Sequence, residues 1–172
     1  MTKKIRKTVY ALEPFQEAAS EILLLGTAPG EKSQQAGFYY QDARNRFWKI
    51  LAGVFDDEVP RINENAADKY ADFKSFLSRH HIALYDVYGS CENDSSLDKK
   101  AKNRHPSDLS FIAQTNIKKI FLLGKRAKKF YESHQGKRIQ IASKGLPSTS
   151  GCNTHWTKDD LVALFSKEIK GE

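Results

Sequence analysis

A glycine-rich turn follows the first strongly apolar run of the chain and invites comparison with a phosphate-binding loop. Gly26 to Ser33 reads GTAPGEKS and comes directly after the apolar residues 22–25. A nucleotide loop needs four residues between its glycines, a lysine directly after the second glycine, and successive backbone N–H groups aimed at the phosphates. Here Gly30 comes too early, Pro29 removes an N–H donor, and Glu31 places a negative charge where anions should gather. The pattern therefore argues against a nucleotide loop and leaves a plain turn, or a backbone wall for another ligand.

The next segment combines aromatic, basic and amide side chains. Residues 36–51 read AGFYYQDARNRFWKIL, in which Phe47 and Leu51 have the spacing of the buried face of a helix. Tyr39 and Tyr40 are adjacent in a polar loop, so at most one of the two rings can face the interior. One of them is therefore available as a flat surface on which a nucleic-acid base could stack.

A second unusual loop occupies residues 144–156, KGLPSTSGCNTHW. It offers hydroxyls and backbone N–H groups with little side-chain bulk, which suits contacts to phosphates or a close approach to a groove. An extended N-terminal cap for the last helix explains the same composition, and the sequence leaves both interpretations open.

These segments need elements that bring them together. Four short apolar or β-branched runs predict strands at 22–25, 82–87, 119–123 and 138–142. Helical patterns are predicted from 47 onward, at 66–80, 106–114 and 126–134, and at 157–170 with Thr157 as N-cap and Asp160 completing a capping box.

This alternation predicts an α/β fold, a three-layer α/β/α sandwich around a central four-stranded parallel sheet, formed by a single domain over residues 1–172. Ligands bind beyond the carboxyl ends of such strands. The loops to inspect are therefore 26–46, 86–98, 124–126 and 143–156, whereas 56–65 and 92–96 are predicted to be surface loops.

The charge balance favours a polyanionic partner. The net charge is +7, and the excess is concentrated in three basic runs, at residues 3–7, 99–104 and 125–129. Basic surface attracts nucleic acid through counterion release. A solvated surface kept soluble by its charge is the alternative, so charge raises the expectation of nucleic acid without deciding it.

The cysteines and the apolar runs restrict the other possibilities. Cys91 and Cys152 are the two cysteines, too few for a four-cysteine cluster, which predicts two ordinary thiols, no metal and no redox cofactor. The basic N-terminus is followed by no apolar signal-peptide stretch, and no run has the length of a membrane span. We expect a cytoplasmic protein, monomeric and without a membrane partner.

Taken together, the two loops resemble the uracil-DNA glycosylase superfamily. The first motif of that family, a strand followed by Gly-x-x-Pro-Gly, is matched by Gly26-Thr27-Ala28-Pro29-Gly30, and its Pro-Ser loop is matched by Leu146-Pro147-Ser148-Thr149-Ser150. The element from Tyr39 to Trp48, with Asn45-Arg46-Phe47-Trp48, is most similar to the hypoxanthine-DNA glycosylase branch. Residues 82–87 and Ser96-Leu97-Asp98 also look like its middle segments.

The resemblance implies base excision: a deaminated base is flipped from DNA and its N-glycosidic bond is hydrolysed without metal or cofactor. Other branches carry Asp, Glu or Asn where Ala28 stands, so the resemblance moves the catalytic role to Asn45. Asp42 is the reserve candidate for activating water, although the family commonly has His there. The resemblance further implies that the flipped base is bound by Gly26, Thr27, Ala28, Tyr39 or Tyr40, and Asp86. It implies that the DNA strand is contacted by Ser148, Thr149, Ser150 and Asn153.

Several alternatives remain beside this interpretation. Asn45 could simply cap the helix that begins at Phe47, and Asp86 could hold a structural turn. The chain also departs from the family after Ser150, where Gly151-Cys152-Asn153 replaces the usual Pro-Ala-Asn. A nucleic-acid-binding protein without activity, or a small nucleoside hydrolase, would fit the same fold.

Overall fold

The computed structural model describes residues 6–93 and 101–172. Part of the N-terminal basic run, the basic residues Lys99 and Lys100, and the segment Ser96-Leu97-Asp98 lie outside these residues. The described strands are β1 Lys7–Tyr10, β2 Ile22–Gly26, β3 Ile82–Asp86, β4 Tyr88–Asn93, β5 Lys102–Pro106, β6 Lys119–Leu123 and β7 Ala142–Leu146. The helices are α1 Glu31–Ala36, α2 Phe47–Phe55, α3 Ala71–Arg79, α4 Lys125–His134 and α5 Lys158–Lys170.

The central sheet has the predicted form. Its four strands run parallel in the order β3-β2-β6-β7. Side chains of β2 alternate between the faces, so that Leu24 packs into one buried cluster with α2, α3 and α5, while Leu23 and Leu25 pack into a second cluster with α4. Helices thus cover both faces of the sheet, and the α/β sandwich is confirmed.

The fourth strand lies four residues beyond its predicted position. The run at 138–142 alternates like a strand, but the chain forms a 3₁₀ turn at Gly136–Arg138, and Ile139 and Ile141 pack against the second cluster. The residues that pair with β6 are Ala142–Leu146, of which three are exposed and two have polar side chains. An edge strand has one hydrogen-bonded neighbour and less buried surface, so it does not need an apolar sequence.

Some of the predicted helices are confirmed and others are not. α2 and α4 lie where they were expected, and α5 begins at the predicted capping box of Thr157 and Asp160. The helix expected at 66–80 is shorter, because it begins only at Ala71. The helix expected at 106–114 is wrong: β5 ends at Pro106, and only a 3₁₀ turn forms at Ser110–Gln114.

A second sheet was not predicted. Strands β1, β4 and β5 form an antiparallel sheet in the order β1-β4-β5. The segment that enters it supports the first glycine-rich loop, because the Val87 and Tyr88 N–H groups donate to the Gly26 and Thr27 carbonyls at 2.8 and 2.9 Å. The small sheet therefore helps to fix the loop at the carboxyl end of β2.

Candidate functional site

The carboxyl ends of β2 and β3 meet at Gly26 and Asp86. These two residues are paired in the parallel register, and Asp86 is buried, with 3% of its surface exposed. A Cβ atom built on Gly26 would lie 2.7 Å from Asp86 Oδ1 and 2.8 Å from the Tyr40 hydroxyl. Only glycine therefore leaves room for the carboxylate and the phenol to approach the backbone here. The loop continues through the buried Thr27 and the half-buried Ala28, which adds no polar side-chain atom.

Tyr39 is the inward-facing member of the tyrosine pair. It is 4% exposed, its hydroxyl donates to the Glu13 carbonyl at 2.7 Å, and the Trp48 indole N–H donates to its carbonyl at 3.1 Å. Burial, reinforced by the charge of Asp86, raises the pKa of Tyr39 well above its usual value, so it stays a neutral phenol. Tyr39 offers no open ring face, and the expectation of a base-stacking tyrosine narrows to Tyr40.

Tyr40 has the features of a functional aromatic residue. Its ring is half-buried and stacks on Phe47 with 3.8 Å between ring centroids and 15° between planes. Its backbone φ is +54°, a conformation that costs free energy for a bulky residue and is concentrated at functional sites. The ring is thereby held beside Gly26 and Asp86.

Asn45 is fixed through its carbonyl oxygen. Oδ1 accepts hydrogen bonds from the Phe47 backbone N–H at 2.9 Å and from the Thr149 hydroxyl at 2.8 Å. The backbone N–H can only donate, which sets the orientation of the amide. Oδ1 thus satisfies the N–H of the first residue of α2, although the N-cap is Arg46 and not Asn45. The Nδ2 amino group makes no hydrogen bond with the residues that the structure describes. Asn45 is left as a hydrogen-bond donor of fixed position.

The burial of Thr149 corrects one predicted DNA contact. This residue is 2% exposed, and its hydroxyl is used on Asn45. It cannot reach a bound strand without moving, so its place in the site is to orient the amide of Asn45.

Asp42 is engaged by a neighbouring arginine. Both of its oxygens accept from the Arg44 guanidinium, at 3.1 and 2.8 Å, and Oδ1 also accepts from the Arg44 backbone N–H at 2.9 Å. The side-chain hydrogen bonds from Arg44 lower the pKa of Asp42 to about 2. A carboxylate of such low basicity is a poor proton acceptor near neutral pH, so the structure gives little support to Asp42 as a water-activating base.

Arg46 is a residue that the sequence analysis missed. Its guanidinium donates to the carbonyls of Trp156 at 2.6 Å, Asn153 at 2.9 Å and Ser150 at 3.1 Å. Its Nε also lies 3.5 Å from the Thr149 carbonyl, which accepts from the Arg46 backbone N–H at 3.1 Å. One side chain thus binds the whole loop 149–156 to the segment that carries Asn45.

A glycine permits the two segments to touch. A Cβ atom on Gly151 would lie 2.5 Å from the Arg44 carbonyl oxygen, a backbone atom that cannot turn away.

We therefore expect Gly151→Ala to lower the free energy of unfolding by about 1–3 kcal/mol, the usual cost of overpacking, and to weaken any activity that depends on Asn45. Chemical denaturation and an activity assay measure the two effects. Thr154→Ala, an exposed position in the same loop, is the control and should behave like the wild type. Equal stability of the two variants would show that the contact imposes no constraint.

A buried polar network lies behind Asp86. The Ser107 hydroxyl donates to the Asp86 carbonyl at 2.6 Å, and the Gln135 amide donates to the Val87 and Ser107 carbonyls at 3.3 and 3.0 Å. Gln135 ends α4 and is itself buried, so this helix is tied directly to the end of β3. Neither residue was singled out from the sequence.

An open groove of about 1130 Å³ runs beside these loops. Its lining includes basic residues from the first turns of α4, residues of the loop 147–156, and Thr27. The basic residues that line it are Lys125, Arg126, Lys128 and Lys129. Of the predicted DNA contacts, Ser148, Ser150 and Asn153 line the groove. The basic run at 125–129 and the small polar loop, separate in the sequence, therefore face the same space.

The described residues contain no cluster of three His, Cys, Asp or Glu side chains arranged to hold a metal ion. Among the same residues, no helix has both the length and the apolar character needed to cross a bilayer.

A parallel sheet with a Gly-x-x-Pro-Gly loop and a Pro-Ser loop at its carboxyl edge defines the class of α/β DNA glycosylases. The family model of the uracil DNA glycosylase superfamily matches residues 14–170, and the chain belongs to this superfamily.

Curated relatives are consistent with this assignment. A hypoxanthine DNA glycosylase of Methanosarcina barkeri is 27% identical over 142 residues, covering 81% of this chain and 85% of the relative. A hypoxanthine DNA glycosylase of Methanosarcina acetivorans is 27% identical over 143 residues with the same coverage. The fold also matches a solution NMR structure of a Methanosarcina acetivorans protein described as a candidate uracil DNA glycosylase, with a TM-score of 0.72, 22% identity, and coverage of 93% of this chain and 98% of that one.

Proposed function

We propose that this protein is a monofunctional DNA glycosylase that removes a deaminated base, hypoxanthine or uracil or both, from DNA. The observation that carries the proposal is the fixed amide of Asn45, whose Oδ1 is used twice within the protein while Nδ2 is left to donate to a ligand. The names of the relatives support hypoxanthine as the first base to test.

The chemistry asks for a donor at this position. In N-glycosidic hydrolysis the bond breaks with both electrons going to the base, and positive charge develops on the sugar. Water then adds its hydroxyl to the anomeric carbon, and its proton ends on the departing base. A donor that is already in place stabilises the negative charge on the base without reorganisation. Asn45 Nδ2 has this role, and Ala28 contributes backbone groups only.

Asp86 supplies a reason for distinguishing hypoxanthine and uracil from their parent bases, adenine and cytosine. Hypoxanthine and uracil carry a ring N–H beside a carbonyl, where adenine and cytosine have a bare acceptor nitrogen. A carboxylate oxygen accepts hydrogen bonds, so Asp86 would bind the ring N–H of hypoxanthine or uracil and would find no proton on the acceptor nitrogen of adenine or cytosine. Its burial beside Gly26 and the Tyr40 hydroxyl strengthens this discrimination, because an unmatched polar group is costly there.

The test is a panel of DNA duplexes carrying deoxyinosine, deoxyuridine, deoxyxanthosine or a thymine mismatch, incubated with the purified protein and then cleaved at abasic sites by alkali. We expect product from deoxyinosine, with deoxyuridine second. Binding in a gel shift without product from any base, even at stoichiometric protein, would leave only a DNA-binding protein of this fold. Cleavage of free inosine without DNA would point instead to a nucleoside hydrolase.

A further inference from the structure

We infer that Trp156 is a stacking surface for a DNA base on the rim of the groove, next to the position of the excised nucleotide. The inference rests on the proposed function, which identifies the ligand as DNA. It concerns how the strand is held, which the position of Asn45 does not address.

The exposure of Trp156 is the first observation. Large hydrophobic side chains that are exposed among the described residues are Tyr10, Val59, Ile62 and Trp156. Of these, Trp156 lines the groove. Its 37% exposure places an indole ring in contact with solvent at the point where the loop 147–156 leads into α5.

The ring has no aromatic neighbour within the described parts of the chain. The other tryptophan, Trp48, is packed against Phe38, Phe47, Phe73 and Phe76. Trp156 makes no such contact with an aromatic ring of residues 6–93 and 101–172, and no Lys or Arg side chain of those residues lies over its face. An indole of this kind is able to receive another flat group.

The backbone around Trp156 is nevertheless held firmly. Its carbonyl accepts from Arg46 at 2.6 Å, and the next residue, Thr157, is the N-cap of α5 with its N–H bound to Asp160 at 3.1 Å. A ring on a fixed main chain loses little conformational freedom when a ligand stacks on it, which favours binding.

The same groove supplies the complementary charge. Lys125, Arg126 and Lys129 line it from the first turns of α4. A basic track for phosphates combined with an aromatic ring for a base is the arrangement by which proteins hold nucleic-acid strands. An apolar ligand, or a peptide without acidic residues, would have no use for this cluster of cations. The base that stacks on Trp156 is one that becomes exposed when the adjacent base, or the base paired with it, leaves the DNA double helix.

The experiment uses the intrinsic fluorescence of the two tryptophans during titration with three DNA ligands. They are an undamaged duplex, the same duplex with a tetrahydrofuran abasic analogue, and a single strand. We expect the abasic duplex to quench tryptophan emission more than the undamaged one, because it leaves a base exposed for stacking. Trp48 is buried and cannot be stacked upon, so the quenching reports on Trp156. Trp156→Ala should weaken binding of the abasic duplex by about tenfold, within the range measured for one base–aromatic stack. Trp156→Phe should retain most of the affinity and lose the quenching.

The fluorescence experiment has its own control, and its results can be distinguished from those of the glycosylase assay. Tyr10→Ala, which removes an exposed aromatic outside the groove lining, should change nothing, and unfolding curves confirm that each variant folds. Wild-type emission that stays constant at saturating DNA, or Trp156→Ala binding as tightly as the wild type, overturns the inference even if base release is observed. Quenching without any base release supports the stacking role and contradicts the proposed activity.

Discussion

Replacement of Asn45 by Ala is expected to slow base release by at least about a hundredfold, the loss measured when one preorganised donor is removed from a developing anion. The effect should appear in the single-turnover rate with enzyme in excess. Binding of an abasic duplex should change by no more than a few-fold, because Asn45 is not among the residues that line the basic groove.

Asn45→Asp separates the donor from the capping role. A carboxylate keeps an acceptor for the Phe47 N–H and for the Thr149 hydroxyl, so the structure around it should persist. It has no amino group, and its negative charge faces a leaving group that becomes negative. We therefore expect Asn45→Asp to be as inactive as Asn45→Ala while unfolding at nearly the wild-type temperature. If Asn45→Asp retains activity, the amide is a structural cap and catalysis lies elsewhere.

The positions of the central strands could be predicted because burial leaves a signal in the sequence. β2, β3 and β6 are covered on both faces, and such strands must be continuously apolar. Three of the five residues of β7 are exposed, so its sequence ASKGL carries little of that signal. β1, β4 and β5 are short, partly exposed strands whose pairing is decided by contacts between distant parts of the chain, which no local pattern encodes.

The site was predicted in part for a similar reason. The motif residues were found because their types and spacing resemble those of a family, and the structure places Gly26, Asp86 and Tyr40 together at one sheet edge. The separate fates of Tyr39 and Tyr40 could not be read from two identical neighbours. The role of Thr149 was equally hidden, since a hydroxyl in a small polar loop suits DNA, a cap or another side chain.

Arg46 shows most clearly why the role of a residue cannot always be predicted from the sequence. Its guanidinium partners are backbone carbonyls 103 to 110 residues away along the chain. Every residue has a backbone carbonyl, so these acceptors leave no trace in the sequence. The arginine itself is visible in Asn-Arg-Phe-Trp, but its function becomes apparent only when the loop 149–156 is seen to surround it.

Arg46→Ala is therefore expected to combine a loss of stability with a loss of activity. Charge-assisted hydrogen bonds contribute more than neutral ones, and the freed carbonyls are partly rehydrated, so we expect the free energy of unfolding to fall by about 2–3 kcal/mol. Base release should fall with it, because the loop that Arg46 holds also carries Thr149, which orients Asn45. Digestion by a protease under native conditions should cut within 149–156 sooner than in the wild type.

Two further variants decide whether the geometry of the guanidinium is responsible. Arg46→Lys keeps the charge, but one ammonium group cannot reach carbonyls that a planar fork spans, so it should restore little of the stability. Arg44→Ala removes a neighbouring arginine whose side chain is 81% exposed and binds Asp42, and it should leave both stability and cleavage of the loop nearly unchanged. If Arg46→Lys behaved like the wild type, a positive charge near the loop would be enough to hold it. The four carbonyl contacts would then not be the reason why the Thr149 hydroxyl stays on Asn45.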